Sequence, residues 1–228
     1  MNIAYAVTEK YAHKIAPSVR SLIEHNPKAK VYVVTETDTL DFDLPVKPTV
    51  INVKNQKWFP QTGPNYANRF TYINYLKNVY ASLLKVNKVI HLDADTIICD
   101  SLDPLWKTDV SGKWFAACIE MLGSYHPFGP VYYNMGVALI NLAQIRKDGA
   151  EEKMVNYINT VPKPYPDQDA WNKFALEEDK AVPLDRRFNE CFCVGKTNDP
   201  AIVHYCGVWD WWTNRVMERR AYLDKYMR

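Results

Sequence analysis

Two aspartates spaced two apart, Asp93 and Asp95, stand at the end of the apolar run Val89-Ile90-His91-Leu92. A short apolar run bounded by polar residues reads as a buried strand. Carboxylates just past the carboxyl end of such a strand lie where open α/β sheets bind ligands. An Asp-x-Asp pair can share one hard divalent cation, and such a cation suits a diphosphate. The spacing recurs at Asp41/Asp43 and Asp167/Asp169, but only Asp93/Asp95 follows an apolar strand directly. A metal site and a structural strand-end turn are the two readings of it.

The first half of the chain alternates strand and helix patterns around this pair. Residues 3–7 read as a strand. Residues 11–25 carry helical periodicity, with Ile15, Val19, Leu22 and Ile23 on one face and Pro17 marking an early turn or kink. Residues 31–35 and 50–53 read as strands, and 66–85 as a long helix through Phe70, Ile73, Leu76, Val79, Tyr80, Leu83 and Leu84. The strand 89–92 follows. This β-α-β-β-α-β order predicts an α/β fold with a mainly parallel sheet flanked by helices. In the second half, 114–119 and 136–141 read as strands around an irregular segment, 122–130. Residues 151–159 and 168–176 read as helices, 202–205 as a short strand and 212–226 as a terminal helix. No repeat or linker divides the chain, so 1–228 is expected to be one domain with 213–228 as its terminal helix or tail.

The composition, 47% hydrophobic and 24% charged, is that of a globular enzyme-sized protein. A net charge of +2 with no extended basic block gives no support to nucleic acid as the main partner. Cys99, Cys118, Cys191, Cys193 and Cys206 are an odd, scattered set. None forms Cys-x-x-Cys, and Cys191-x-Cys193 is tight for a zinc pair, so reduced thiols are expected. The first strand begins almost at once, so no leader is expected. No apolar stretch approaches the roughly 20 residues of a membrane span. The expectation is a soluble, cytoplasmic protein. The 15 Tyr, 7 Trp and 8 Phe supply core and also faces for sugars or bases.

Six segments, in order, carry a resemblance. They are Ala6-Val7-Thr8-Glu9-Lys10-Tyr11; Asn68-Arg69-Phe70-Thr71-Tyr72, followed by Lys77; His91-Leu92-Asp93-Ala94-Asp95-Thr96; Tyr133-Asn134-Met135-Gly136-Val137-Ala138-Leu139-Ile140-Asn141; Asp167-Gln168-Asp169-Ala170-Trp171-Asn172; and His204-Tyr205-Cys206-Gly207. Together they resemble glycosyltransferase family 8, the retaining nucleotide-sugar transferases that include glycogenin and lipopolysaccharide galactosyltransferases. The resemblance spans nearly the whole chain. It implies a GT-A-type, Rossmann-like fold and transfer of glucose or galactose from a UDP-sugar, with an α-linkage formed. Asp93, Asp95 and His204 would hold Mn²⁺ (or Mg²⁺) against the diphosphate. Tyr11 would stack on uracil with Thr8 beside it. Arg69 and Lys77, eight apart on one predicted helix, would meet the diphosphate and donor sugar. By the same resemblance Ala94, Asn134, Asp169 and Gly207 would fall in the donor site. Asp167 and Gln168 would line the reacting sugar. The acceptor would be a glycan, a lipid-linked sugar or a protein.

One position departs from the family pattern, which often reads His-x-x-Gly-x-x-Lys-Pro-Trp. Here Asp210 stands where the lysine is expected, in His204-Tyr205-Cys206-Gly207-Val208-Trp209-Asp210-Trp211-Trp212. Arg215, one turn on, is the first candidate to replace it, with Lys77 and Arg69 as the alternative. The basic, aromatic segment 213–228 reads either as an ordinary packing helix or as peripheral membrane contact at the inner face. Two other functions compete. Asp93-Ala94-Asp95-Thr96-Ile97 nearly matches the nucleophile motif of haloacid-dehalogenase-type phosphohydrolases, with Ile97 in place of the motif's Thr. Asp210 would also suit a catalytically weak UDP-sugar- or glycan-binding protein.

Overall fold

Short, nearly continuous apolar strands build the centre of a sheet with both faces buried. In the computed structural model, which describes residues 1–66, 71–121, 127–208 and 210–227, β1 (Asn2–Ala6) leads through a 3-10 turn, Glu9–Ile15, into α1 (Ala16–His25). β2 (Lys30–Thr35) and β3 (Thr49–Asn52) follow. Next come α2 (Tyr72–Tyr75), α3 (Tyr80–Leu83), β4 (Val89–Leu92), β5 (Thr96–Ile98) and α4 (Asp103–Trp106). The second half holds β6 (Phe115–Ile119), β7 (Tyr133–Ile140), α5 (Leu142–Asp148), α6 (Ala150–Thr160), α7 (Pro166–Glu177), β8 (Ala181–Leu184), β9 (Ile202–His204) and α8 (Arg220–Asp224).

Seven strands form one sheet in the order β3-β2-β1-β4-β7-β6-β8, and β5 pairs with β9 beside it. β1, β2, β3 and β4 are mutually parallel, while β7 runs antiparallel to both β4 and β6. The sheet is therefore mixed and mainly parallel, as the element order predicts. Ile3, Tyr5, Val31, Val33, Ile90 and Leu92 face Val19 and Leu22 of α1. The alternate positions Ala4, Val34, Val89 and Ala138 face Ile145, Met154 and Trp171 on α5, α6 and α7. Burying both faces explains why these strands read as continuous apolar runs. After β1 the chain builds outward through β2 and β3, then returns to place β4 on the other side of β1. That reversal makes the carboxyl ends of β1 and β4 the topological switch point, where such sheets bind ligands.

Three expectations need correction. The predicted helix 66–85 is broken: α2 and α3 flank a 3-10 turn, Leu76–Val79, whose four side chains are all buried. Apolar residues lie on more than one side of this segment, so a straight amphipathic helix cannot bury them. The tighter turn brings Lys77 and Asn78 inward. Arg69, expected on one helix face with Lys77, lies outside the described residues. The helix expected over 212–226 shrinks to α8. Asn214 Oδ1 accepts the Val216 N–H at 3.0 Å, and Arg219 adopts a left-handed φ of 59°. Both favour turns over helix. Two of the basic residues there are held within the fold: Arg219 pairs with Glu190 at 2.7 Å, and Arg220 donates to the carbonyls of Trp211, Trp212 and Asn214. The strand expected over 136–141 begins at Tyr133, so Asn134 belongs to it. The irregular segment 122–130 is described only in part.

Candidate active site

Asp93 leaves β4 with its N–H on the Gly136 carbonyl of β7 at 2.8 Å, and the chain turns through Ala94 and Asp95 into β5. A chain of hydroxyls fixes this turn. Thr96 Oγ1 donates to the Asp93 carbonyl and meets Ser18 Oγ, which meets the Tyr5 hydroxyl, each contact at 2.9 Å. β9 lies antiparallel to β5 with His204 opposite Thr96, and the Tyr205 N–H bonds the Asp95 carbonyl. This pairing carries His204 to the aspartates. Its Nε2 lies 3.3 Å from Asp95 Oδ1 and 3.8 Å from Asp93 Oδ2. One ligand atom from each of the three residues falls within 4.8 Å of the others.

The donor set fits a divalent cation. Two carboxylates and one imidazole converge, and the imidazole is preset for ligation. His204 Nδ1–H donates to Asn189 Oδ1 at 2.8 Å, which leaves Nε2 facing the carboxylates. Burial disfavours a charged His204, but Asp95 beside it outweighs that and lifts its pKa well above the usual value. A bound cation would displace that proton. Burial likewise opposes a charged Asp93, yet Lys77, His91 and His204 hold its carboxyl below the usual carboxylate range. Burial pushes the His91 pKa down. Neutral His91 then donates from Nε2 to Asp93 Oδ1 at 2.9 Å and accepts the Tyr80 hydroxyl at Nδ1 at 3.1 Å.

Gly136 makes the close packing possible. A Cβ built there would lie 2.2 Å from His204 Cε1 and 2.8 Å from Asp93 Oδ2. The β6–β7 register slips from Ala117↔Ala138 to Cys118↔Asn134, so β7 bulges around this glycine and re-aims Asn134. Gly136→Ala is expected to abolish divalent-ion binding and to cost about 1–3 kcal/mol in stability from overpacking. Ion titration and thermal melts check both. Asn189→Ala frees the His204 ring and is expected to weaken divalent-ion affinity about 10–100-fold, measured in the same titration.

A second group lies beside the first. Lys77 is buried and reaches Asp167 Oδ2 at 2.9 Å, Asp93 Oδ1 at 3.7 Å and the Met135 carbonyl at 3.3 Å. It joins the metal-side carboxylate to the start of α7. Glu120 Oε1 accepts from Asn134 Nδ2 at 2.9 Å and from Gln168 Nε2 at 3.1 Å. Gln168 Oε1 takes the Met135 N–H at 2.9 Å, and Asn134 Oδ1 takes the Asn189 amide at 2.9 Å. Asp93, Lys77, Asp167, Gln168, Glu120 and Asn134 thus form one connected polar floor. Asp169 is fully buried and accepts the Tyr132 hydroxyl at 2.7 Å.

Thr8 and Tyr11 stand past the carboxyl end of β1. Among the described residues Thr8 Oγ1 is buried without a hydrogen-bond partner, and Tyr11 is 49% exposed with Lys14 Nζ 4.4 Å from its ring centre. Gly207 takes a φ of +77° in the turn after β9, a conformation that glycine adopts without strain. Asp210 is exposed and serves a turn, its carbonyl accepting the Thr213 and Asn214 N–H groups. Arg215 is exposed and lies 3.9 Å from Asp224. The sequence singled out neither Glu120 nor Asn189. Glu120 ends the apolar run of β6, the same signal that marks Asp93; nothing local marks Asn189.

A mixed, mainly parallel sheet with an Asp-x-Asp turn at its switch point and a returning histidine defines a GT-A-type glycosyltransferase. The model of Glycosyl transferase family 8 matches residues 2–215, and the chain belongs to that family. A putative glycosyltransferase of Haemophilus influenzae is 25% identical, aligned over 100% of this chain and 77% of its own length. Lipopolysaccharide 1,2-glucosyltransferase of Escherichia coli is 24% identical over 93% of this chain and 74% of its own. The structure of galactosyltransferase LgtC with donor and acceptor sugar analogs shares the fold, with a TM-score of 0.72 and 20% identity, and the match covers 100% of this chain and 97% of that one. The chain is a glycosyltransferase. Ile97, where a dehalogenase-type motif needs threonine, is buried against β9 and Tyr205, which sets that alternative aside. Among the described residues, no helix is long and apolar enough to cross a membrane.

Proposed function

We propose that this glycosyltransferase moves a hexose, glucose or galactose, from a UDP-sugar to an acceptor hydroxyl with retention, forming an α-linkage. The convergence of Asp93, Asp95 and His204 at the switch point carries the reading. Bound there, Mn²⁺ (or Mg²⁺) would neutralise charge on the departing diphosphate. Tyr11 offers an exposed ring for the uracil, and the unpartnered Thr8 hydroxyl a hydrogen bond at its edge. Asn134 and Gln168, fixed through Glu120, present amides to the sugar hydroxyls. Asp167, held by Lys77, lines the reacting face with Gln168. Ala94 and Gly207 shape the donor site beside the ligands, and Asp169 buttresses it from α7. Arg69 and Arg215 remain candidates for the diphosphate in place of the missing lysine. The acceptor oxygen bonds to the anomeric carbon on the face the diphosphate leaves. The carbon–oxygen bond to phosphate breaks, and the hydroxyl proton passes to the departing phosphate oxygen. Fixed donors aimed at that oxygen lower the barrier.

The acceptor is a glycan or lipid-linked sugar, in keeping with relatives named for lipopolysaccharide, with a protein hydroxyl as the alternative. Such an acceptor would place the enzyme in the cytoplasm at the inner membrane face. A panel of UDP-sugars with Mn²⁺ tests the donor. UDP release from UDP-glucose or UDP-galactose, with an α-configured product by NMR, is expected; consumption of neither, or a β-configured product, overturns the reading.

A further inference from the structure

Three of the five cysteines, scattered in sequence, meet at one place. Cys191 and Cys193 lie on a tight turn closed by the Gly195 N–H on the Cys191 carbonyl at 2.9 Å, with Gly195 at a φ of +105°. Cys206 arrives from the other side, in the turn two residues past the end of β9. The Sγ atoms of Cys191 and Cys193 are 3.8 Å apart, those of Cys193 and Cys206 are 3.2 Å apart, and all three lie within 4.8 Å of one another. None is in a disulfide. Cys191 is buried, whereas Cys193 and Cys206 are partly exposed.

Zn–S bonds of about 2.3 Å in tetrahedral geometry put sulfurs about 3.8 Å apart. Cys191 and Cys193 already sit at that value, and Cys193 and Cys206 lie 0.6 Å inside it, at 3.2 Å. Cys191-x-Cys193 is too tight to chelate alone, but the turn gives both sulfurs a shared neighbour. The third ligand comes from the turn just after β9, whose pairing with β5 is fixed independently by Thr96↔His204. Soft sulfur ligands select a different ion from the oxygen-rich Asp93/Asp95/His204 group.

We propose that Cys191, Cys193 and Cys206 form a second metal site, a three-thiolate centre for a soft, closed-shell cation of the Zn²⁺ type, with water at the fourth position. Each sulfur gives its proton to solvent as it binds. One dication and three thiols become one trithiolate complex carrying a single negative charge, plus three protons. Asn189 and His204 each lie two residues from a sulfur ligand, so this site borders the candidate active centre without sharing ligands with it.

Co²⁺ titrated into the full chain under a non-thiol reductant tests the proposal optically. The expected result is one equivalent producing thiolate-to-cobalt charge-transfer absorption with tetrahedral d–d bands, both bleached by one equivalent of Zn²⁺. The signal should persist in Asp95→Ala and in Cys99→Ser, and vanish in the double variant Cys193→Ser/Cys206→Ser. Absence of charge-transfer absorption in the parent chain overturns the proposal whatever the variants do. So does a signal that survives the double substitution.

Discussion

Asp95→Ala is expected to lower turnover of the sugar nucleotide by about three orders of magnitude, equivalent to about 4 kcal/mol of transition-state stabilisation. The carboxylate lies 3.3 Å from His204 Nε2 and faces the same space as Asp93. Removing it leaves two ligands and withdraws negative charge from the ion's position. Lewis-acid stabilisation of a departing group is worth several kcal/mol, and among the described residues the neighbouring cation Lys77 cannot supply it from there. Lys77 is already committed to Asp167 and Asp93. The fold should survive, because the turn is held by the Asp95 carbonyl, Thr96 and Ser18 rather than by the Asp95 carboxylate. Steady-state rates with saturating Mn²⁺, beside unchanged circular dichroism, check the expectation.

Lys77→Met should damage both stability and chemistry. The ammonium is buried, and Asp93 and Asp167 raise its pKa despite that burial. Methionine leaves Asp167, only 7% exposed, as an unpaired buried carboxylate. Breaking a buried pair from one side costs about 3–5 kcal/mol. At this chain length that is a fall in thermal midpoint of roughly 6–20 °C. The Asp93 contact adds less, because its carboxylate is 39% exposed and solvent screens it. Adding Asp167→Asn to Lys77→Met should recover much of the midpoint by removing the stranded charge, but not the turnover. Recovery of both would make Lys77 a purely structural residue.

The strand–turn bearing Asp93 and Asp95 was legible because a buried strand and its polar end leave a local pattern. β1, β2, β3 and β4 were legible for the same reason. Other features depend on contacts that no local pattern records. Lys77 reads as one more basic residue on a helix, yet a 3-10 turn drives it inward to two carboxylates. His204 joins the aspartates only because β9 pairs with β5, and β5 itself is three residues long and was not foreseen. Arg219 and Arg220 read as a basic tail but bind Glu190 and three backbone carbonyls. The cysteines read as scattered because spacing along the chain hides the meeting of two loops. In each case a long-range packing contact overrode local periodicity.

The central claim is that one divalent ion sits between Asp93, Asp95 and His204 and is shared with a nucleoside diphosphate. Mn²⁺ binding followed by the loss of its free-ion electron paramagnetic resonance signal, with and without UDP, tests it most directly. The account predicts one Mn²⁺ per chain whose affinity rises when UDP is present, with that coupling lost in Asp93→Asn/Asp95→Asn. Equal Mn²⁺ binding in parent and variant, or parent binding that ignores UDP, would contradict it.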